Sequence, residues 1–139
     1  MDDEKKKFYK EIIEYRALMR NSFKEYIQEN KPLELLVEKT NNILIKSQTH
    51  PLIQKNEQSY SLEFVPKKTE NLLLTKIAIE LVKLLSSKEF KYLKKCDNHK
   101  CSLYFIDTSK NHSRRWCSME ICGNRAKVSK FNKKKTIKI

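Results

Sequence analysis

The chain of 139 residues carries 30 Lys and Arg against 17 Asp and Glu, a formal charge of +13, with one glycine and four cysteines. An apolar share of 39% and a single Gly speak against a loop-rich secreted scaffold and for a helix-rich chain of one compact domain plus a small appendage. No apolar run approaches the ~20 residues that span a bilayer. The opening residues Met1 to Lys7 hold no apolar signal segment, so the expectation is a cytoplasmic protein without membrane contact.

The first elements predicted are helices. Asp2, Asp3 and Glu4 suit the positive end of a helix dipole. Phe8, Ile12, Tyr15, Met19, Phe23 and Tyr26 then recur at steps of four and three, one stripe on a helix of roughly six turns. Aromatics at that spacing are more often core than a ligand box. Asn30-Lys31-Pro32 breaks the helix, and Pro32 suits the first turn of a second one whose buried face is Leu33, Leu36, Val37, Thr40 and Leu44. The two helices should form a hairpin.

Between about 48 and 65 the period changes. Tyr60, Leu62 and Phe64 alternate with Ser61, Glu63 and Val65, a strand with one wet face. Thr49 to Lys55 should pair with it across Asn56-Glu57-Gln58, and because a lone hairpin is marginal in water it should lie on the helices. Pro66 closes the hairpin, and Thr69 is the expected N-cap of the next helix, with Glu70 in its first turn. From Leu72 to Leu85 apolar positions leave only a narrow polar strip through Lys76, Glu80 and Lys83, the mark of a central, buried helix. Phe90 to Leu93 adds a further turn leading into Cys96.

All four cysteines lie in the next stretch, as Cys96 and Cys101, then fifteen residues, then Cys117 and Cys122. Two close pairs separated by a middling loop are what a tetrahedral thiolate site requires: each short gap brings two sulfurs to one ion at ~2.3 Å, and the loop lets the halves meet. One zinc per chain is the reading. Paired disulfides would need an oxidising compartment, and a redox dithiol is more usually a single Cys-x-x-Cys in an α/β setting. Leu103 to Ile106 and the residues leading to Trp116 have strand character, with Asp107 to Ser113 as the polar turn between them. Cys117 and Cys122 are five apart, about 140° around a helix. Cys117 should therefore precede a helix, with Ser118 as cap and Cys122 in its first turns. A knuckle, a hairpin and a helix that contributes ligands early make a treble-clef-like module. Beyond it, Gly123, Lys127, Lys130 and Lys134 share one helical face while Ile121 and Val128 point elsewhere, so the helix can rest on its own domain and offer lysines outward. Lys133-Lys134-Lys135 extends the charge into a tail expected to lack fixed structure.

The residues Cys101-Ser-Leu-Tyr-Phe-Ile-Asp107, Arg114-Arg-Trp-Cys117-Ser-Met and Cys122-Gly123-Asn124-Arg125 closely resemble the CGNR zinc-finger family of bacterial proteins. The resemblance covers about the last 45 residues, the count following from that run of motifs. It implies a DNA-binding transcription regulator in which a helical, stress-associated domain precedes the finger. Residues 5 to 87 look like the later part of such a domain, here shortened, since members usually carry further N-terminal residues. The expected architecture is mainly α with a small β-hairpin: a helical domain over 1–90 and a treble-clef-like four-cysteine zinc module over 91–139.

Charge points the same way. Residues 1 to 87 hold 15 basic against 13 acidic side chains, while residues 88 to 139 hold 15 against 4. So concentrated a positive field favours a polyanion as partner, and the family resemblance points to double-stranded DNA. Arg114, Arg115, Lys127, Lys130 and Lys134 are the expected phosphate or base contacts, with Asn124 a lesser candidate because it can equally brace the helix. His99 and His112 are set aside as ligands because four cysteines already close the site. Asp107 and Arg125 read as a structural ion pair or loop-fixing contacts, and Trp116, Tyr104 and Phe105 are needed inside so small a module before they can stack on bases. No catalytic residues are expected, since a closed four-thiolate site leaves zinc no open position. A zinc-stabilised protein-interaction or RNA-binding module is the alternative, and homo-oligomers are compatible with either.

Overall fold

The computed structural model describes residues 3–68 and 70–136, the last three through their backbone only. Two units divide it, Met1–Ser86 and Ser87–Ile139. It is mostly helical, with two small antiparallel hairpins among the described residues. No described helix is long and apolar enough to cross a membrane.

The first unit begins with α1 (Asp3–Glu29), whose first turn carries Asp3 and Glu4 as the dipole favours; the matching expectation for Asp2 lies outside the described residues. Tyr15 and Phe23 from the predicted stripe are buried, and the chain leaves the helix through Asn30 at φ 52°, a left-handed position that a short amide side chain tolerates. In α2 (Glu34–Lys46) the cap residue is Leu33, so Pro32 lies just outside the helix and not in its first turn. The buried face is Leu36, Thr40 and Ile43. Val37, expected inside, is 41% exposed. A hydrogen bond sets this rotation: the hydroxyls of Tyr15 and Thr40 meet at 2.7 Å, and Thr40 also donates to the Leu36 carbonyl at 2.6 Å. Centring the interface on Thr40 leaves no orphaned polar group at the middle of the core, and turns Ile43 inward at Val37's expense.

At the end of α2, the Ser47 carbonyl accepts from the amides of Lys67 and Lys68 at 3.1 and 3.0 Å, tying down the base of a hairpin. Its strands, β1 (His50–Lys55) and β2 (Tyr60–Val65), pair in the register Ile53 to Leu62 and close through the Asn56 amide on the Ser59 carbonyl at 2.8 Å. The strands fall where alternation predicts, but the hairpin does not lay its apolar side on the helices. Ile53 is 78% and Tyr60 73% exposed, while Ser61 and Glu63 are half-buried. Alternation reports that two faces differ; it does not say which one meets the core.

The helix α3 (Leu72–Leu85) buries Leu74, Thr75, Ala78, Ile79 and Leu81, more side chains than either partner helix. Each large one contributes ~1.5–3 kcal/mol of burial. Thr69, the expected cap, lies outside the described residues; the cap is Asn71, whose side chain accepts from the Leu74 amide at 3.2 Å. Glu70 consequently precedes the helix. The Asn71 amide donates to Glu11 at 2.9 Å, so one residue both starts α3 and fastens it to α1.

The second unit opens with a 3-10 turn, Lys88–Tyr92, followed by β3 (Leu93–Lys95). β3 pairs antiparallel with β4 (Tyr104–Ile106), Leu93 opposite Ile106. This corrects the sequence expectation, which paired Leu103 to Ile106 with the residues leading to Trp116. A π-helical turn, Met119–Gly123, then runs into α4 (Asn124–Thr136). The helix continues through Lys133-Lys134-Lys135, where a tail without fixed structure was expected.

Candidate metal centre

The β3–β4 hairpin brackets the first cysteine pair. The Cys96 amide extends the ladder onto the Leu103 carbonyl at 3.0 Å. The chain then reverses at Asn98, whose carbonyl takes the Cys101 amide at 2.8 Å and whose side chain takes the Lys100 amide at 3.1 Å. Asn98 is buried and makes the knuckle, a role the cysteine spacing alone did not disclose; its signal is an Asn two residues after Cys96, the residue type that turns the chain on its own side chain. On the other side Ser118 caps the π-helical turn, accepting from the Ile121 amide at 3.3 Å, while the Cys122 amide reaches the Ser118 carbonyl at 3.0 Å. Cys117 before the helix and Cys122 in its first turn are as anticipated.

The four Sγ atoms lie within 4.8 Å of one another. Cys117 Sγ is 3.7 Å from both Cys101 Sγ and Cys122 Sγ. A tetrahedron of thiolates at ~2.3 Å from zinc has sulfur–sulfur edges of about 3.8 Å. The residues fit the ion. Electrostatics explain why they need it. Burial pushes the Cys96 thiol up, but backbone amides of Cys117 and Asn98 outweigh it and bring the thiol down to about 7. Burial and three neighbouring sulfurs drive Cys117 up to about 12, and burial raises Cys122. Four thiolates this close cannot all ionise without a divalent cation among them.

The loop between β4 and Cys117 is tied by a polar knot. Asp107 is fully buried, and its carboxylate accepts from Lys94 Nζ at 2.6 Å, from the Ser109 amide at 3.0 Å and from the Arg114 amide at 2.9 Å. Burial alone would raise its pKa; the Lys94 ammonium and the Ser109 and Arg114 donors hold it well below the usual carboxylate range. Asp107 is thus a loop-fixing residue, and its ion-pair partner is Lys94, not Arg125. Lys94 also donates to the His112 carbonyl, stitching both ends of the 107–114 loop to β3. His112 stacks on Tyr92 with centroids 3.5 Å apart and meets the Asp107 carbonyl at 2.9 Å, while His99 is exposed. Neither belongs to the cysteine cluster.

The expected nucleic-acid residues are distributed unevenly. Arg114 directs Nε to the Trp116 carbonyl at 2.8 Å, its guanidinium also donates to the Cys117 carbonyl, and it covers Phe105 at 5.0 Å. It holds the second cysteine loop. Arg115 pairs with Asp97 at 2.8 Å across the knuckle and lies over Trp116 at 5.1 Å. Asn124 braces its turn on the Glu120 carbonyl at 2.9 Å. Lys127 and Lys130 are exposed on α4, and the side chain of Lys134 lies outside the described residues. Trp116, Tyr104 and Phe105 are half-buried.

A hairpin knuckle, a capped turn and a helix gathering four sulfurs define a structural zinc module. Residues 92–135 match the CGNR zinc finger family, so the second unit carries a CGNR zinc finger, named by Cys122-Gly123-Asn124-Arg125. No curated protein matches the chain.

Proposed function

We propose that this zinc-binding protein is a DNA-binding transcription regulator of the cytoplasm, in which zinc folds the module that meets duplex DNA. The observation that carries the reading is charge: α4 holds six basic side chains and no acidic one. Four thiolates fill the coordination shell of zinc, which gives the ion a folding role and leaves no position for substrate. The protein is accordingly read as a binder and not an enzyme. Its affinity comes chiefly from phosphate neutralisation and the release of condensed counterions.

The test is binding of the zinc-loaded chain to duplex DNA, duplex RNA and single strands across a salt series. Preferred binding to duplex DNA, with log affinity falling by about 0.9 per phosphate contact for each decade of salt, supports the reading. Binding that ignores salt, or that survives removal of zinc, would refute it. A second reading, attachment to another protein, is favoured by the exposed Ile53 and Tyr60 of the first unit; it moves ahead if no nucleic acid binds.

A further inference from the structure

Resting on the duplex-DNA reading, we propose that α4 enters the major groove on the face formed by Arg125, Val128, Ser129 and Asn132, and that these residues read bases. The face opposite, Lys127 and Lys130, is then turned away from the groove.

The four residues stand at i, i+3, i+4 and i+7, one side of a helix, and line one shallow groove that Glu120, Ile121 and Asn124 close at its N-terminal end and Lys133 at the other. They differ in chemistry where the lysine side is uniform. An arginine fork matches the O6 and N7 acceptors of guanine, an asparagine amide matches N6 and N7 of adenine, a serine hydroxyl serves either, and a valine meets the thymine methyl. Lysines alone would hold phosphate without distinguishing sequence. Val128 is 58% exposed on a helix whose mean character is polar, an apolar group left uncovered by its own unit.

Arg125 carries the most weight. Among the described residues its side chain has no hydrogen bond or ion pair, whereas those of Arg114 and Arg115 are both engaged. An exposed guanidinium with no side-chain contact within its own unit is open to a partner outside it. Lys133, about a quarter-turn from the centre of the face, is placed for the phosphate wall of the groove. A helix of 13 residues is about 20 Å long and fits the B-form major groove, while the deep, narrow groove of A-form RNA excludes it.

The experiment selects binding sites from a pool of randomised duplexes with the zinc-loaded full chain, then repeats the selection with three variants. Arg125→Lys keeps the charge and loses the fork, so it should retain affinity for random duplex and lose preference at one guanine, a drop of roughly 5- to 150-fold at the best site. Lys133→Ala should leave the preferred sequence intact and flatten the salt slope by about 0.9. Lys130→Ala should change neither. Zinc content equal to the parent's guards against unfolding. The orientation is overturned if Arg125→Lys keeps the parent's base preference, if Lys130→Ala flattens the slope as Lys133→Ala does, or if the parent selects no sequence at all. Duplex binding persists in each of those outcomes. A parent chain that binds no duplex DNA, or binds duplex RNA equally well, overturns the broader reading and this one with it.

Discussion

The first unit is held from within by apolar side chains; the second is held by four sulfurs and a buried carboxylate. Tyr15, Phe23, Leu36, Ile43, Leu74, Ala78, Ile79 and Leu81 are buried between α1, α2 and α3, whereas Leu93 is the only buried apolar side chain of the second unit besides cysteine among the described residues. A stretch of about fifty residues cannot bury enough apolar surface to offset its chain entropy. The second unit therefore replaces core with cross-links: one metal node and the Lys94–Asp107 knot. Two ways of opposing chain entropy occur in one chain, and they should fail under different insults.

The largest effect expected is on removing zinc. Chelation should abolish amide protection from about Cys96 onward and leave α1, α2 and α3 protected, because in such modules the binding energy of the metal is folding energy. Hydrogen exchange resolved by residue reads this directly, and uniform loss along the chain would end the comparison. Cys96→Ser or Cys122→Ser should each abolish stoichiometric zinc, by elemental analysis, with most helical signal kept.

Next comes Asp107→Asn, which removes the only acidic partner that Lys94 has within ion-pair distance among the described residues. The second unit should bind zinc more weakly and unfold at lower denaturant, while the first is unaffected. The sign with pH follows from a depressed carboxyl: its contribution is complete above the unfolded value near ~3.9 and is lost as pH falls below it. The difference between parent and variant should thus stay flat between pH 5 and 8. A difference that grows across that range would point to another group.

The converse substitution lies in the apolar unit. Leu81→Ala should cost about 2–5 kcal/mol by lost burial and a residual cavity, lowering the first transition in thermal unfolding. Zinc affinity should not move; if it does, the two units are energetically coupled and the comparison needs revising. The smallest effect is expected at the glycine of the family motif. A Cβ on Gly123 would run into Met119 Sδ, but that sulfur is near the end of a flexible, exposed side chain and can swing away. Gly123→Ala should be nearly neutral, within about 1 kcal/mol, the helix propensity of alanine offsetting the shift. A large loss of zinc would show that Met119 is pinned.

What was legible in the sequence follows the same division. Cysteine spacing determines a tetrahedral site almost by stereochemistry, so the ligand cluster and the Cys117-before-helix arrangement could be anticipated from Ser118 and the five-residue offset. The periods of α1 and α3 were legible because a stripe of six aromatic and aliphatic residues, or a helix apolar nearly all round, has one reading. β3 was not, since Leu93-Lys-Lys95 is three residues long and shows no alternation. Nor was the Lys94–Asp107 pair, thirteen residues apart, because charges announce their sign and not their partner. The loop-closing bonds of Arg114 were not legible either: an arginine beside a finger suggests phosphate, and its five donors can also close on carbonyls of its own loop. Of the two readings open for Asp107 and Arg125, a structural ion pair or loop-fixing contacts, Asp107 follows the second, with Lys94 as its cation.

The ribbon of β1 and β2 has a consequence for how the molecule behaves in company. A sheet of two strands has no interior strand, so each presents an outward row of backbone donors and acceptors, a template for another chain. The two edges are not equally guarded. Pro51 withholds a donor from β1, and Lys55 sets a charge at its end, whereas β2, Tyr60-Ser-Leu-Glu-Phe-Val65, contains no proline and a single charge. Crowding should therefore recruit neighbours along β2 first, and a lysine at Leu62 would act there as a gatekeeper without touching the zinc module.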